Sequence, residues 1–339
     1  MKIAIDKNCK VVKNDGNEYI YLFNNESLDE LLETGFHCLY YKNCKFVDIN
    51  LTDYEIDCIK QAKYGDKDYD KLPPKVDYKI GIIIPNYNYE HTIEKCLNSI
   101  LNQTYKNYQI IFVDDMSTDN SVAIATRMLK GKHKVVQLKQ KRLNGGARNE
   151  GYLYLDKDVD YVYYVDSDDW LYDENALEMI NNKLQKKPDV LFVGMASYKN
   201  EKTSTCFIPE YKDKYEALEG WSGSCGKVIK KSLATRQECL YNEGTLKEDK
   251  NQHCKICIYM NNFELLKEPV YVWNQDNFKS VTTVRTKNIL WETSTIRHYA
   301  DTLELALSVK GQDLMIDNIL NQRVNKTWQE ILNKGDKQW

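Results

Sequence analysis

Tyr161-Val162-Tyr163-Tyr164-Val165-Asp166-Ser167-Asp168-Asp169-Trp170 is the stretch on which the fold turns. Its β-branched and aromatic run predicts a buried strand, and the strand ends in three carboxylates. Like charges crowded together repel. A hard divalent cation relieves that repulsion, because Mg²⁺ is held by one or two carboxylates plus the oxygens of a substrate phosphate. The plainer alternative is an acidic loop in which Asp168 or Asp169 caps the next helix.

Upstream of this stretch the pattern alternates regularly. Strand Ile80 to Ile84 precedes helix Tyr89 to Leu101, and strand Tyr108 to Val113 precedes helix Asp119 to Leu129. Strand Lys134 to Leu138 then precedes helix Gly145 to Leu155. Such alternation predicts βαβ units and a mostly parallel sheet flanked by helices. Ligands on such sheets bind at the carboxyl ends of the strands. Three of those ends carry unusual residues: Pro85-Asn86-Tyr87-Asn88, Asp114-Asp115-Met116-Ser117 and Asp166-Ser167-Asp168-Asp169. They are expected to converge on one crevice. A dinucleotide-binding dehydrogenase would need G-x-G-x-x-G directly after the first strand, where this chain has Ile84-Pro85-Asn86-Tyr87-Asn88.

Taken in order, Ile82 to Asn88, Cys96 to Thr104, Val113 to Asp119, Asn144-Gly145-Gly146-Ala147-Arg148-Asn149 and Asp166 to Asp169 resemble the family-two glycosyltransferases of the GT-A fold. The resemblance covers about residues 79 to 285. It implies a Rossmann-like α/β sheet, a nucleotide-sugar donor (UDP-linked), a divalent cation (Mn²⁺ or Mg²⁺) and transfer with inversion. By similarity Pro85 and Tyr87 line the nucleoside pocket, Asp114 or Asp115 accepts a hydrogen bond from base or ribose, and Arg148 contacts the nucleotide. Asp166 touches ribose and metal with Ser167 beside it, and Asp168 is the chief metal ligand. In the second half Trp221 to Ile229 looks like the segment closing the acceptor site. Glu248-Asp249 matches the family's acidic pair, with Asp249 as the base that deprotonates the acceptor hydroxyl. Read without the resemblance, these two acids only favour a helix N-terminus. Many relatives carry an Arg after Val270-Tyr271-Val272-Trp273. Here Asn274 stands there, with Ser280 retained and Lys279 or Arg285 as the candidate replacement cations.

The rest of the chain frames this centre. Residues 1–75 read as a small α/β module: a strand at Tyr19 to Phe23, capping boxes at Ser27 to Glu30 and Thr52 to Glu55, and a hairpin from Phe36 to Ile49. A structural or acceptor-docking role is expected for it. A polar linker ending at Pro73-Pro74 leads to the catalytic domain, 76–285. A helical tail, 286–339, broken near Gly311, is expected to pack on that domain or to self-associate. The chain has 339 residues and 42% hydrophobic residues. A mean hydropathy of -0.62 describes a water-soluble chain, and no apolar run reaches the roughly 20 residues of a membrane span. Met1 to Asp6 shows no secretory core, so a cytoplasmic protein is expected, its ten cysteines reduced. Cys254 and Cys257, next to His253, lack further zinc ligands at finger-like spacing.

A net charge of -3 gives no global pull toward nucleic acid. The basic run from Lys130 to Arg142 is either solvated surface or a local phosphate contact. Three other readings stay in play: a phage-type enzyme glycosylating a modified DNA base, a non-catalytic carbohydrate or nucleotide binder, and a nucleotidyltransferase.

Overall fold

The computed structural model describes residues 75–277, 289–309 and 316, together with five strands within the first 50 residues. The chain divides into two compact units, residues 1–77 and 78–339. In the first, β1 (Lys2–Ile5) runs parallel to β3 (Glu18–Phe23), and β2 (Asn14–Asp15) pairs antiparallel with β3. A separate antiparallel pair joins β4 (Phe36–Cys38) to β5 (Asp48–Asn50). The helices expected at Ser27 and Thr52, the Pro73-Pro74 linker, Lys279, Ser280, Arg285 and the tail beyond Gly311 (residue 316 apart) lie outside the described residues.

The second unit begins with the alternation read from sequence. It runs β6 (Ile80–Asn86), α1 (Ile93–Leu101), β7 (Tyr108–Asp114), α2 (Ser121–Met128), β8 (Lys134–Gln137), α3 (Leu143–Tyr152) and β9 (Tyr161–Tyr164). The remaining elements are β10 (Trp170–Leu171), α4 (Ala176–Leu184), β11 (Val190–Lys199), β12 (Lys202–Phe207), α5 (Lys214–Glu219), β13 (Lys227–Lys230) and α6 (Lys231–Ala234). They end with α7 (Glu248–Tyr259), β14 (Phe263–Asn274) and α8 (Ile289–Ser308). None of the described helices is long and apolar enough to cross a membrane.

These strands form one nine-stranded sheet in the order β10-β14-β11-β13-β9-β6-β7-β8, with β12 paired to β11. The sheet is mixed. It is parallel from β9 through β6 and β7 to β8, as the βαβ alternation demands. At β13, which runs antiparallel to both β9 and β11, the direction reverses. Every residue of β6 and β7 is buried, which suits strands covered on both faces. Ile82 and Ile84 pack against Ile93, Cys96, Leu97 and Ile100 of α1. Ile83 and Ile111 face the other way, in a core with Ala147 of α3 and Cys254 and Cys257 of α7. Each fully buried Ile contributes about 1.5–3 kcal/mol, so β6 anchors both layers.

Helix α3 is built against its own composition. Leu143-Asn144-Gly145-Gly146-Ala147 is a weak helix former, yet Asp115 at the end of β7 caps it. One carboxylate oxygen accepts the Arg142 N–H at 2.7 Å and the other the Leu143 N–H at 2.9 Å, satisfying donors that a helix start leaves orphaned. The helix therefore begins two residues before the position expected from sequence. At Gly151 it lies so close to β6 that an added Cβ would sit 2.6 Å from Ile83 Cγ2.

Candidate active site

The carboxyl ends of β6, β7 and β9 meet at one edge of the sheet. Asn86 donates from Nδ2 to Asp114 Oδ1 at 2.8 Å and to Ser117 Oγ at 3.0 Å. Asp114 Oδ2 accepts the Ser117 N–H at 2.9 Å, and Asn88 N–H reaches Ser117 Oγ at 2.9 Å. Asn88 and Met116 take left-handed backbone, φ 61° and 67°, which turns both loops outward. Tyr87 and Met116 are thereby left 42% and 47% exposed as two apolar lips, with the Lys141 ammonium over the Tyr87 ring. Asp114 and Asp115 are both buried, and their oxygens are spent on the loop and on α3. Of the residues expected to hold a nucleoside, Tyr87 is the one displayed to solvent. Pro85, inside β6, presents its carbonyl to Ser167 Oγ at 2.6 Å.

The acid turn after β9 separates its three carboxylates. Asp169 is buried, accepting from Tyr271 Oη at 2.6 Å and from the Asn274 N–H at 2.8 Å. Burial and its two acidic neighbours push its carboxyl well up. Asp166 and Asp168 remain partly exposed. Asp166 Oδ1 accepts from Arg148 Nη2 at 2.7 Å. Asp168 Oδ2 accepts from Asn277 Nδ2 at 2.8 Å, and burial beside Asp166 pushes its carboxyl up to about 6. Tyr89 lies near the same turn, its phenol raised by burial and then by Asp168 and Asp166. Asn274, at the position of the absent Arg, donates from Nδ2 to the Asp168 carbonyl at 3.0 Å. It therefore holds the turn's backbone.

Across the crevice, α7 opens with Glu248-Asp249 after Lys247, whose φ is 57°. Arg148 spans the gap: Nη1 donates to Glu248 Oε1 at 2.7 Å while Nη2 holds Asp166. The guanidinium is 3% exposed and packs over Tyr241. It works here as an internal brace. Burial raises the Glu248 carboxyl, with Arg148 opposing the shift. Asp249 is partly exposed and accepts the Lys250 N–H at 2.9 Å.

Helix α8 fixes the approach to these acids. His298 Nε2 donates to the Leu246 carbonyl at 2.8 Å, Ser294 Oγ accepts the Leu246 N–H at 3.3 Å, and Asp301 accepts from Asn242 Nδ2 at 2.6 Å. Asn251 of α7 bonds the His298 carbonyl and Thr302 Oγ1, each at 3.1 Å. Sequence reading missed His298 and Asn277, whose partners lie far away along the chain. A groove of about 630 Å³ lies at the opposite, amino ends of β11 and β14, lined by Tyr211, Asn261 and Phe263 among others. It is remote from the acids. The basic run, read either as solvated surface or as a local phosphate contact, is partly consumed internally, since Arg142 pairs with Glu150 and Glu243.

A cation was expected at Asp166 and Asp168. Among the described residues no cluster of three or more His, Cys, Asp and Glu could enclose a metal. Two carboxylates two residues apart on one turn do fit a hard cation whose remaining ligands are water and phosphate oxygens.

The family model described as Glycosyl transferase family 2 matches residues 81–228. Over this span the chain is similar to glycosyl transferase family 2. The matched segment carries the strand ends, the acid turn and Arg148, whereas Glu248, Asp249 and α8 lie beyond it. Glycosyltransferase GlyA of Streptococcus pneumoniae is 35% identical over 141 residues, 41% of this chain and 20% of that protein. A poly(ribitol-phosphate) beta-glucosyltransferase of Bacillus spizizenii is 38% identical over 117 residues, 33% of this chain and 18% of that one. The chain thus spans about a fifth of either relative. Among solved structures, Staphylococcus aureus TarS 1–349 in complex with UDP-GlcNAc superimposes with a TM-score of 0.63 at 20% identity, over 74% of this chain and 73% of that one. At that identity the likeness establishes the fold: a GT-A α/β sheet.

Proposed function

We propose that this chain is an inverting glycosyltransferase that moves a sugar from a UDP-sugar to a hydroxyl of a polymeric glycan acceptor. The observation that carries the reading is the Arg148 brace, whose guanidinium pairs with both Asp166 of the acid turn and Glu248, the neighbour of Asp249. The UDP-GlcNAc in the TarS complex and the poly(ribitol-phosphate) acceptor in the Bacillus relative's name support the donor and acceptor classes. The DNA-base and binding-only readings gain no support from this geometry. Residues 1–75 then serve a structural or an acceptor-docking role.

In this mechanism Tyr87 and Met116 flank the nucleoside. Asp168, with Asp166, would hold a divalent cation, which would supply charge neutralisation for the departing diphosphate. Arg148 keeps Asp166 aimed. Asp249 takes the acceptor's proton as its oxygen bonds to the anomeric carbon. The electron pair of the breaking bond leaves on the diphosphate. A base on the far side of the sugar from the leaving group is what a single inverting displacement needs, and a positioned base contributes typically about 10²–10⁴-fold.

The test is a screen of nucleotide sugars with Mn²⁺, read by thermal stabilisation, because a ligand shifts stability by RT ln(1 + [L]/Kd). Hits are followed by product analysis. Metal-dependent release of UDP is expected. Release of pyrophosphate would mark a nucleotidyltransferase, and binding without turnover would leave a binding protein.

A further inference from the structure

The end of β14 laces the acid turn in place. The turn closes on itself through the Asp169 N–H on the Asp166 carbonyl at 3.0 Å. Tyr271 Oη accepts the Asp166 N–H at 3.2 Å and donates to Asp169 Oδ2 at 2.6 Å, and the Asn274 N–H takes the other Asp169 oxygen at 2.8 Å. The Asp276 N–H, on Asn274 Oδ1 at 3.2 Å, turns that amide so that its Nδ2 meets the Asp168 carbonyl at 3.0 Å. These bonds secure the turn through its backbone and through the buried Asp169. Asn277 does something else. It is 3% exposed, and its Nδ2 donates at 2.8 Å to Oδ2 of Asp168, a side chain that stays partly open to solvent. A buried amide left without a partner is costly, but a backbone carbonyl would satisfy it equally well. This bond instead fixes the rotation of a carboxylate whose side chain is not among the groups closing the turn.

We propose that Asn277 is a positioning residue for the divalent cation: by holding Asp168 Oδ2 it presents that carboxylate to the ion through Oδ1, and so selects a small octahedral cation over Ca²⁺. The inference rests on the cation site proposed above at Asp168. Ca²⁺ gathers about six to eight oxygens in flexible geometry and accepts a carboxylate through both of its oxygens, whereas Mg²⁺ demands a near-ideal octahedron and keeps several waters. An oxygen already accepting an amide proton is a poorer second ligand. The Asn277 bond therefore disfavours the two-oxygen grip that suits the larger ion.

The experiment titrates the full chain with Mn²⁺ in the presence of UDP, reading free Mn²⁺ by electron paramagnetic resonance, and then displaces the bound ion with Mg²⁺ or with Ca²⁺. Asn277→Leu, Asn277→Ala and Asp168→Asn are compared with the unmodified chain. Asn277→Ala adds no bulk and covers the case in which Asn277→Leu fails to fold. The Asn277 variants are expected to bind Mn²⁺ about 10–100-fold more weakly, the usual cost of removing a partner that orients a metal-binding side chain. Their preference for Mg²⁺ over Ca²⁺ should shrink as well, with Ca²⁺ displacing Mn²⁺ at a lower concentration relative to Mg²⁺ than in the unmodified chain. A merely loosened turn would weaken all three ions alike. Unchanged Mn²⁺ affinity in a folded Asn277 variant, or equal losses for the three ions, overturns the proposal while leaving the cation at Asp168. Mn²⁺ binding by Asp168→Asn as tight as in the unmodified chain overturns the cation's assignment, and the Asn277 inference with it.

Discussion

The wall proposed for the donor is closed by hydrogen bonds among strand ends. Asn86, Asp114 and Ser117 satisfy one another, Asp115 caps α3, and Ser167 locks onto Pro85. The wall proposed for the acceptor is held from outside. Asp249 starts a helix whose entry loop is gripped by His298, Ser294 and Asp301 of α8, roughly fifty residues further along. One wall is framed by strands buried on both faces, and the other is clamped by side chains on a distant helix. Damage to the first should disturb ligand binding, whereas damage to the second should slow chemistry and leave nucleotide affinity intact.

The largest effect tests the donor wall. Asp168→Asn should cut turnover by roughly a thousandfold or more, because a bound cation supplies several kcal/mol of charge stabilisation and each 1.4 kcal/mol is tenfold in rate. Calorimetry should also show weakened UDP binding in a folded protein. Full activity of this variant in excess chelator would falsify the cation's assignment.

Asp249→Asn comes next, with kcat down by about 10²–10⁴-fold and UDP affinity nearly unchanged. Glu248→Gln should be milder, since the amide oxygen still accepts from Arg148 Nη1. Its main cost is expected in stability, about 1–3 kcal/mol by chemical denaturation. If Glu248→Gln is the more damaging in kcat, the two carboxylates have exchanged roles.

Changing the clamp gives a smaller effect. His298→Gln should lower kcat by about tenfold through loss or displacement of one hydrogen bond of roughly 1–1.5 kcal/mol, again without weakening UDP binding. Burial lowers the His298 imidazole below its ordinary range, so as pH falls the unfolded chain takes up that proton first. The clamp's contribution to stability is full above about pH 6.5 and declines below it. Chemical denaturation at pH 5 and pH 7.5 should show a slope that His298→Gln flattens. An identical slope in the two proteins counts against the clamp.

The smallest effect concerns the two units. A chain starting at Val76 should hydrolyse donor at the unmodified rate, because the residues proposed to be catalytic all lie in residues 78–339. Failure of that chain to fold or to bind UDP would make residues 1–75 part of the catalytic core.

The contrast between the walls also governs what could be read from sequence. β6, β7 and β9 announce themselves as apolar runs, and their acids follow each strand directly, so the crevice and the turn at Asp166 were legible. The uses of the acids were not. Asp114 and Asp115 look alike in sequence, yet one fastens its own loop and the other caps a helix about thirty residues on. Arg148 reads as a surface or nucleotide contact until Glu248, a hundred residues later, closes on it. Asn274 was visible as a missing arginine, but its bond to the Asp168 backbone depends on how β14 crosses the acid turn. His298 acts through a partner that no local spacing encodes.

Gly151 sets a tolerance that reaches beyond its own contact. Arg148 sits three residues earlier on the same helix, so the gap between α3 and Ile83 fixes how deeply the guanidinium rides between Asp166 and Glu248. A methyl group at Gly151 would act as a shim. With 2.6 Å available to Ile83 Cγ2, α3 would lift, and the brace would lengthen toward both acids at once. The crevice's width is thus gauged by the absence of a side chain on its floor, and that thickness is where mutational drift would first detune both walls together.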